Sequence, residues 1–308
     1  MPRVSVLLTC YNHLRFLPAA LEGILSQTFT DFEVLALDDG SKDGSREWLQ
    51  DREKEGKLRC LFNEKNLGTY ATLNVGLEEA KGEFVAILND DDLWGSEKLA
   101  RQISLMESDP RIGLVHTGGW FIGDDGERLG DPAPLGFVYP STPTGDVLAL
   151  EVLYNHIITS SVLIRRKCFE ECGPFDPSFF GSGDWQMWLR IAQKYHVGYI
   201  EEPLAFYRVH GQNASHQKER INLDDARIRE WITGWQSSLA DRTSKEPDLF
   251  AAFAHNWACL GTERTWAGDA KGGRAAYREA MKMQPKRLKT RLRFAATFLP
   301  KKLFRKLS

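Results

Sequence analysis

Phe84-Val85-Ala86-Ile87-Leu88, running into Asn89-Asp90-Asp91-Asp92-Leu93-Trp94, is the stretch that decides the fold. Five consecutive apolar residues read as a strand buried on both faces, as in a parallel sheet covered by helices. Three successive carboxylates at its end repel one another. They persist there only if exposed, hydrogen-bonded or neutralised by a cation. A hard divalent cation, Mn2+ or Mg2+, held by one or two carboxylates and by substrate phosphate oxygens, fits such a cluster. A solvated acidic turn leading into the next helix fits it as well.

The same rhythm extends on either side. Val4–Leu8, Phe32–Leu37 and Leu58–Phe62 read as strands, and Leu17–Leu25 and Thr69–Ala80 as helices. Ser96–Met106 reads as a helix with Ser96 as its N-cap. Apolar strands alternating with helices predict a parallel sheet with helices on both faces. Ligands of such sheets bind outside the carboxyl ends of the strands. That singles out three loops: Thr9-Cys10-Tyr11-Asn12-His13, Asp38-Asp39-Gly40-Ser41 and the carboxylate triplet. Asp39 can accept from a base N–H or a ribose hydroxyl, or simply make a turn. Tyr11 can stack on a base or pack beside the sheet.

Further along, Gly113–Phe121, Ser160–Ile164, Val197–Ile200 and Ala205–Val209 read as strands, and Phe137–Gly145 as a mobile loop. Asp184–Lys194 reads as an amphipathic helix. Asp184 at its start is either an N-cap or a general base for an acceptor hydroxyl. His210, after the last strand, is a metal or phosphate contact or a structural imidazole. From Asn222 the pattern is helical, and Leu249–Thr265 with Gly268–Met283 resembles one tetratricopeptide-like pair. The division expected is 1–220 for the sheet domain and 221–308 for a helical C-terminal region.

Composition narrows the function classes. No apolar run approaches the roughly 18–20 residues needed to span a bilayer, and Val4–Leu8 is too short for a signal-peptide core. Five scattered cysteines read as free thiols in a reducing cytoplasm rather than a disulfide frame or zinc site. No G-x-G-x-x-G follows the first strand, which disfavours a dinucleotide-dependent oxidoreductase. The net charge of −2 conceals an asymmetry: residues 271–308 carry 13 Lys/Arg and one acidic residue, leaving the rest at −14. In the tail, Leu288, Leu292, Ala295 and Leu299 share one helical face, and Leu303, Phe304 and Leu307 repeat a short apolar stripe after Pro300. Such a helix either packs its apolar face on the protein or lies in the interface of an anionic membrane. Nucleic acid is a poor partner, because the tail lacks regular aromatic interleaving and the body is acidic.

Six segments in series, SVLLTCYNH, LALDDGSKDGS, NLGTYATLNVGLEEAKGEFVAILNDDDLW, SSVLIRRKCFEECGPFDPSF, GDWQMWLR and YRVHGQNAS, resemble the family 2 glycosyltransferases across residues 3–216. The resemblance implies an α/β fold of GT-A type: a Rossmann-like mixed sheet flanked by helices, here with a C-terminal all-helical extension. It implies an inverting, metal-dependent enzyme that moves a sugar from a nucleotide diphosphate sugar to an acceptor hydroxyl. Thr9, Tyr11, Asn12, Asp39, Asn66, Gly68 and Asp90 would line the nucleotide-sugar site. Asp91, with His210, would hold Mn2+ or Mg2+, and Asp184 would be the catalytic base. A glycan or lipid-linked acceptor of envelope polysaccharide synthesis would place the chain in the cytoplasm, peripheral on the inner face of the membrane. This sequence departs from the family pattern in four places. Asn89 replaces the first Asp of the common LDxDD motif, and Gly183 replaces an acidic neighbour of the base. Gln186 and Leu73 stand where Asp and Arg are common. Asn89 and Gly183 motivate a second reading, a non-catalytic nucleotide-sugar or glycan binding protein.

Overall fold

The computed structural model describes residues 1–130, 138–300 and 303–304. The chain begins with β1 (Val4–Cys10), α1 (Leu17–Leu25), β2 (Phe32–Asp38), α2 (Ser45–Lys54), β3 (Arg59–Phe62), α3 (Thr69–Glu79) and β4 (Phe84–Asn89). It continues through β5 (Leu93–Trp94), α4 (Lys98–Ser108), β6 (Ile112–Ile122), α5 (Leu148–Leu153), β7 (Leu163–Arg165), α6 (Arg166–Cys172), α7 (Gly183–Ala192) and β8 (His196–Arg208). The remaining helices are α8 (Lys218–Thr233), α9 (Ala240–Lys245), α10 (Pro247–Ala267), α11 (Ala270–Met283) and α12 (Leu288–Ala296). Two compact units result: Met1–Val147 with His156–His216, and Leu148–Asn155 with the chain from Gln217 onward.

In the first unit, eight strands form one mixed sheet in the order β3-β2-β1-β4-β7-β6-β8-β5. β1 pairs in parallel with β2 and β4, and β2 with β3. Val4, Val6, Leu7 and Leu8 in β1 and Phe84, Val85, Ala86, Ile87 and Leu88 in β4 are fully buried, as expected for strands covered on both faces. β7 runs antiparallel to both β4 and β6, so β6 points the same way as β4, and β8 is parallel to β6. The carboxyl ends of β1, β2, β4, β6 and β8 therefore share one edge. The chain order reverses between β1 and β4, and their loops open onto the crevice where doubly wound sheets take ligands.

Several local expectations are corrected. Ser160–Ile164 is not one strand: Thr159–Ser161 forms a 3-10 turn and pairing starts at Leu163, because the Ser160 and Ser161 hydroxyls bond elsewhere. The two short strands expected at Val197–Ile200 and Ala205–Val209 are one strand, β8, whose polar Glu201-Glu202-Pro203 interruption falls where its register against β6 shifts. Gly119 lets the two backbones close there; a Cβ on it would collide with the Ala205 carbonyl oxygen. Ser96 does not cap α4: the helix starts at Lys98, and the Ser96 carbonyl accepts the Thr28 N–H. Of the loop expected to be mobile, Phe137 lies outside the described residues. The rest is tied down, with Thr142 buried against His116 and Gly145 bridged to Val197.

The second unit is helical. α5, although early in sequence, belongs to it, and Arg229 on α8 donates to the Leu153 carbonyl. α10 and α11 pack closely because both carry glycine at the contact. A Cβ at Gly261 would meet the Tyr277 ring at 2.8 Å, and one at Gly273 would collide with the Thr265 hydroxyl. The fully buried Tyr277 bonds Thr262 at 2.6 Å, and Asp269 caps α11 through the Gly272 N–H. No helix among the described residues is long and apolar enough to cross a membrane.

Candidate active site

The loops after β1 and β2 hold each other. Asn12 adopts a left-handed backbone (φ 58°), which Asn tolerates better than most residues. Its N–H donates to the Ser41 hydroxyl at 3.0 Å, and its side-chain oxygen accepts the Lys42 N–H at 2.8 Å. Asp39 is buried and accepts from Asn63 Nδ2, Leu67 N and Gly68 N at 2.8–2.9 Å, shaping the turn before α3. Asn66 is exposed on that turn, and Gly68 sits at φ 89° where a side chain would be strained. Tyr11 is 44% exposed on the first of these loops. Thr9 donates to Asn89 at 3.1 Å, joining β1 to β4.

The three consecutive carboxylates have three different environments. Asp90 is buried, with its oxygens engaged by the Tyr11 N–H and by His13 Nδ1, each at 2.9 Å. Burial, reinforced by the charge of Asp91, pushes the Asp90 carboxyl up. Burial opposes protonation of His13, yet the bond and charge of Asp90 outweigh it and hold the imidazole above its usual pKa. Asp92 is fully buried; the Ser160 hydroxyl and the Arg208 N–H donate to it, and burial raises it well above the carboxylate range. Asp91 is the most exposed of the three, with its side chain 13% exposed. Its Oδ2 lies 3.0 Å from His210 Nε2, and its carbonyl accepts Arg208 Nε at 2.8 Å. His13, Asp91 and His210 present ligand atoms within 4.8 Å of one another. The His210 ring accepts the Gln212 N–H on Nδ1 at 3.2 Å, which places its remaining proton on Nε2, directed at Asp91.

Asp184 lies in the first turn of α7, two residues past its cap, since Ser182 takes that position without a side-chain bond. Its carboxylate accepts from Thr159 Oγ1 at 2.8 Å and from the Trp185 N–H at 2.6 Å. The 3-10 turn is what brings the two halves of the site together. Thr159 holds Asp184 and the next residue, Ser160, holds Asp92. The turn is gripped from below: Trp94 Nε1 donates to the Ser160 carbonyl at 2.6 Å, Gln102 to Ser161 at 2.8 Å and the fully buried Lys98 to Val162 at 3.3 Å. The Tyr207 phenol lies among these groups; burial first, then the charges of Asp92, Asp91 and Asp184, hold its proton on. Asp91 and Asp184, 93 positions apart in sequence, both act by charge on the Tyr207 phenol.

The departures at the site have physical reasons. A Cβ on Gly183 would lie 2.7 Å from the ring of Tyr70, which is buried and stacked on Phe175. An acidic side chain has no room there. Gln186 accepts from Arg190 at 3.0 Å, and Leu73 is fully buried. Gly183→Ala is expected to lower stability by about 1–3 kcal/mol, the usual range for overpacking, measured by denaturant unfolding. An unchanged midpoint would show that Tyr70 yields freely. The sequence reading gave no role of their own to His13, Ser160 and Arg208. His13 had a signal, its place on the β1 loop beside Tyr11; the other two had none, because their partners are more than 65 positions away.

A mixed sheet with a carboxylate cluster at the shared strand ends defines a GT-A-type glycosyltransferase domain. The model for glycosyl transferase family 2 matches residues 5–173, and the chain belongs to that family. The chain is 31% identical over 222 residues to TuaG of Bacillus subtilis, described as a putative teichuronic acid biosynthesis glycosyltransferase, covering 70% of this chain and 83% of that protein. It is 28% identical over 219 residues to an uncharacterized glycosyltransferase of Nostoc sp., where the match covers 68% of this chain and 66% of its relative. Among solved structures, residues 1–349 of TarS from S. aureus share the fold with TM-score 0.69 and 16% identity, over 100% of this chain and 90% of that one. The mannosyltransferase PcManGT of Pyrobaculum calidifontis, solved with GDP-Man and Mn2+, gives TM-score 0.59 and 19% identity, over 99% and 84%.

Proposed function

We propose that this glycosyltransferase moves a sugar from a nucleoside diphosphate donor to a hydroxyl of an envelope glycan or lipid-linked acceptor, with inversion and with Mn2+ or Mg2+. The observation that carries the reading is the Thr159-Ser160 turn, whose adjacent hydroxyls bond Asp184 and Asp92, the chain neighbour of Asp91. The acceptor O–H gives its proton to Asp184 as its oxygen forms a bond to the anomeric carbon. The bond from that carbon to the diphosphate oxygen breaks on the opposite face, so an α-linked donor gives a β-linked product. Asp91 fits a hard cation as the accessible carboxylate of the cluster, and His13 and His210 flank it with nitrogen donors suited to Mn2+. The bound ion would draw charge off the leaving diphosphate. His210 could ligate through Nε2 only in the tautomer with its proton on Nδ1, which gives up the bond from the Gln212 N–H; as it stands it orients the Asp91 carboxylate.

Tyr11 offers its ring to the base, while Asn12, Asp39, Asn66 and Gly68 form the rim that receives base and ribose. Thr9 and Asp90 act from below, Asp90 by fixing His13. The named substrates of relatives support the donor and acceptor classes: TuaG is named for teichuronic acid biosynthesis, and TarS and PcManGT were solved with UDP-GlcNAc and GDP-Man.

A thermal-shift panel of UDP, GDP, ADP and CDP, with and without Mn2+, tests this. One base is expected to raise the midpoint by about 5 °C at a hundred times its Kd, and only with Mn2+ to the full extent. No shift with any member would remove the nucleotide-sugar reading. A shift without turnover of any donor, unchanged by Asp184→Asn, would favour a non-catalytic binder.

A further inference from the structure

The helix α12 is packed the wrong way round for a helix of a globular protein. An amphipathic helix ordinarily turns its apolar stripe inward. Here Thr290, Ala296 and Thr297 are buried, while Leu288 and Leu292 are 66% and 61% exposed. Phe298, Leu299 and Leu303 beyond it are exposed too. Phe294 provides the inward apolar contact, against Ala258, Tyr277 and Ala280, and the fully buried Phe304 anchors the chain after Pro300. The segment is thus fixed at both ends with its leucines facing outward. Lys286, Lys289 and Arg291 lie along the same segment, Lys289 and Arg291 exposed, and residues 286–308 contain nine Lys/Arg and no carboxylate.

We propose that this face is the seat of an anionic lipid bilayer, with α12 lying in the plane of the interface. The two features divide the alternatives. Basic charge alone would suit a polyanion such as RNA, but leaves the outward leucines without a use. Leucines alone would suit a second copy, but an isologous contact would set the basic flanks of two tails against each other. A surface that is apolar a few ångströms below an anionic plane satisfies both. α12, from Leu288 to Ala296, spans about 14 Å, enough to lie on a membrane and too short to cross one. The inference goes beyond the proposed transfer reaction and does not depend on it.

The test is co-sedimentation of the full chain with phosphatidylcholine vesicles, with and without one-third phosphatidylglycerol, at low and high salt. Binding is expected only to the anionic vesicles and is expected to weaken with salt. Lys289→Glu with Arg291→Glu should weaken it by at least ~25-fold, about fivefold per charge removed. Leu288→Ser with Leu292→Ser should also release the chain, while its thermal midpoint and nucleotide response stay at wild-type values because both side chains are exposed. Anionic binding that survives the serine pair would mean mere charge adsorption and overturn the proposal. So would a failure of the wild type to bind, or a wild-type dimer that the serine pair makes monomeric.

Discussion

Asp184→Asn is expected to lower kcat for sugar transfer by roughly 10³-fold while leaving nucleotide binding intact, a loss within the range attributed to a positioned general base. The substitution is nearly isosteric. Thr159 can reverse its hydroxyl to meet an amide, and the Trp185 N–H still finds the amide oxygen. What disappears is the ability to take a proton. Asp92 cannot substitute, because it is fully buried with its oxygens already bonded by Ser160 and the Arg208 N–H. Initial rates with a turnover-competent donor and acceptor would measure the loss. The nucleotide thermal shift is the internal control. A variant within fivefold of wild-type kcat would place the base elsewhere. Thr159→Val separates position from chemistry, since it leaves the carboxylate but removes the donor that aims it.

How far the sequence could lead to this site depends on what kind of information each residue carries. The strands β1, β2 and β4 were legible because burial on both faces writes a continuous apolar run, and Asp39 and Asp91 because they end such runs. The split of labour among Asp90, Asp91 and Asp92 was not legible. Chemically the three are identical, and only the chain's path sends Asp90 toward His13, Asp91 toward His210 and Asp92 toward Ser160. Ser160 shows the opposite difficulty. Its neighbours Val162, Leu163 and Ile164 carry a strand signal strong enough to absorb it, so the turn that aligns Asp184 with the carboxylate loop looked like part of β7. In β8, two glutamates and a proline read as a break, although the partner glycines of β6 accommodate them as a register shift. In α12, periodicity reveals a leucine stripe but is silent on which way it faces; that is decided by Phe294 and Phe304, which anchor the segment from outside the stripe.

The second large effect is expected at Asp91, and its signature is the converse of that at Asp184. Asp91→Asn should abolish the extra stabilisation that Mn2+ gives the nucleotide complex and cut metal-dependent kcat by ~10³-fold, equivalent to several kcal/mol of lost charge stabilisation at the leaving diphosphate. A neutral amide oxygen is a weaker partner for a hard cation than a carboxylate. The ligand-free protein should not suffer. The charge of Asp91 pushes up both Asp90 and Asp92, so removing it relieves two buried neighbours, and the amide oxygen still accepts from His210 Nε2. The midpoint without ligand is therefore expected to hold or rise while the Mn2+-dependent increment is lost. Calorimetric titration of Mn2+ into the nucleotide complex reads this without turnover. An Asp91→Asn protein that titrates Mn2+ like the wild type would move the ion off this loop, to His13 and His210 alone or away from the site. Measured together, the two substitutions separate the functions: one keeps the metal and loses the chemistry, and the other loses both while folding at least as well.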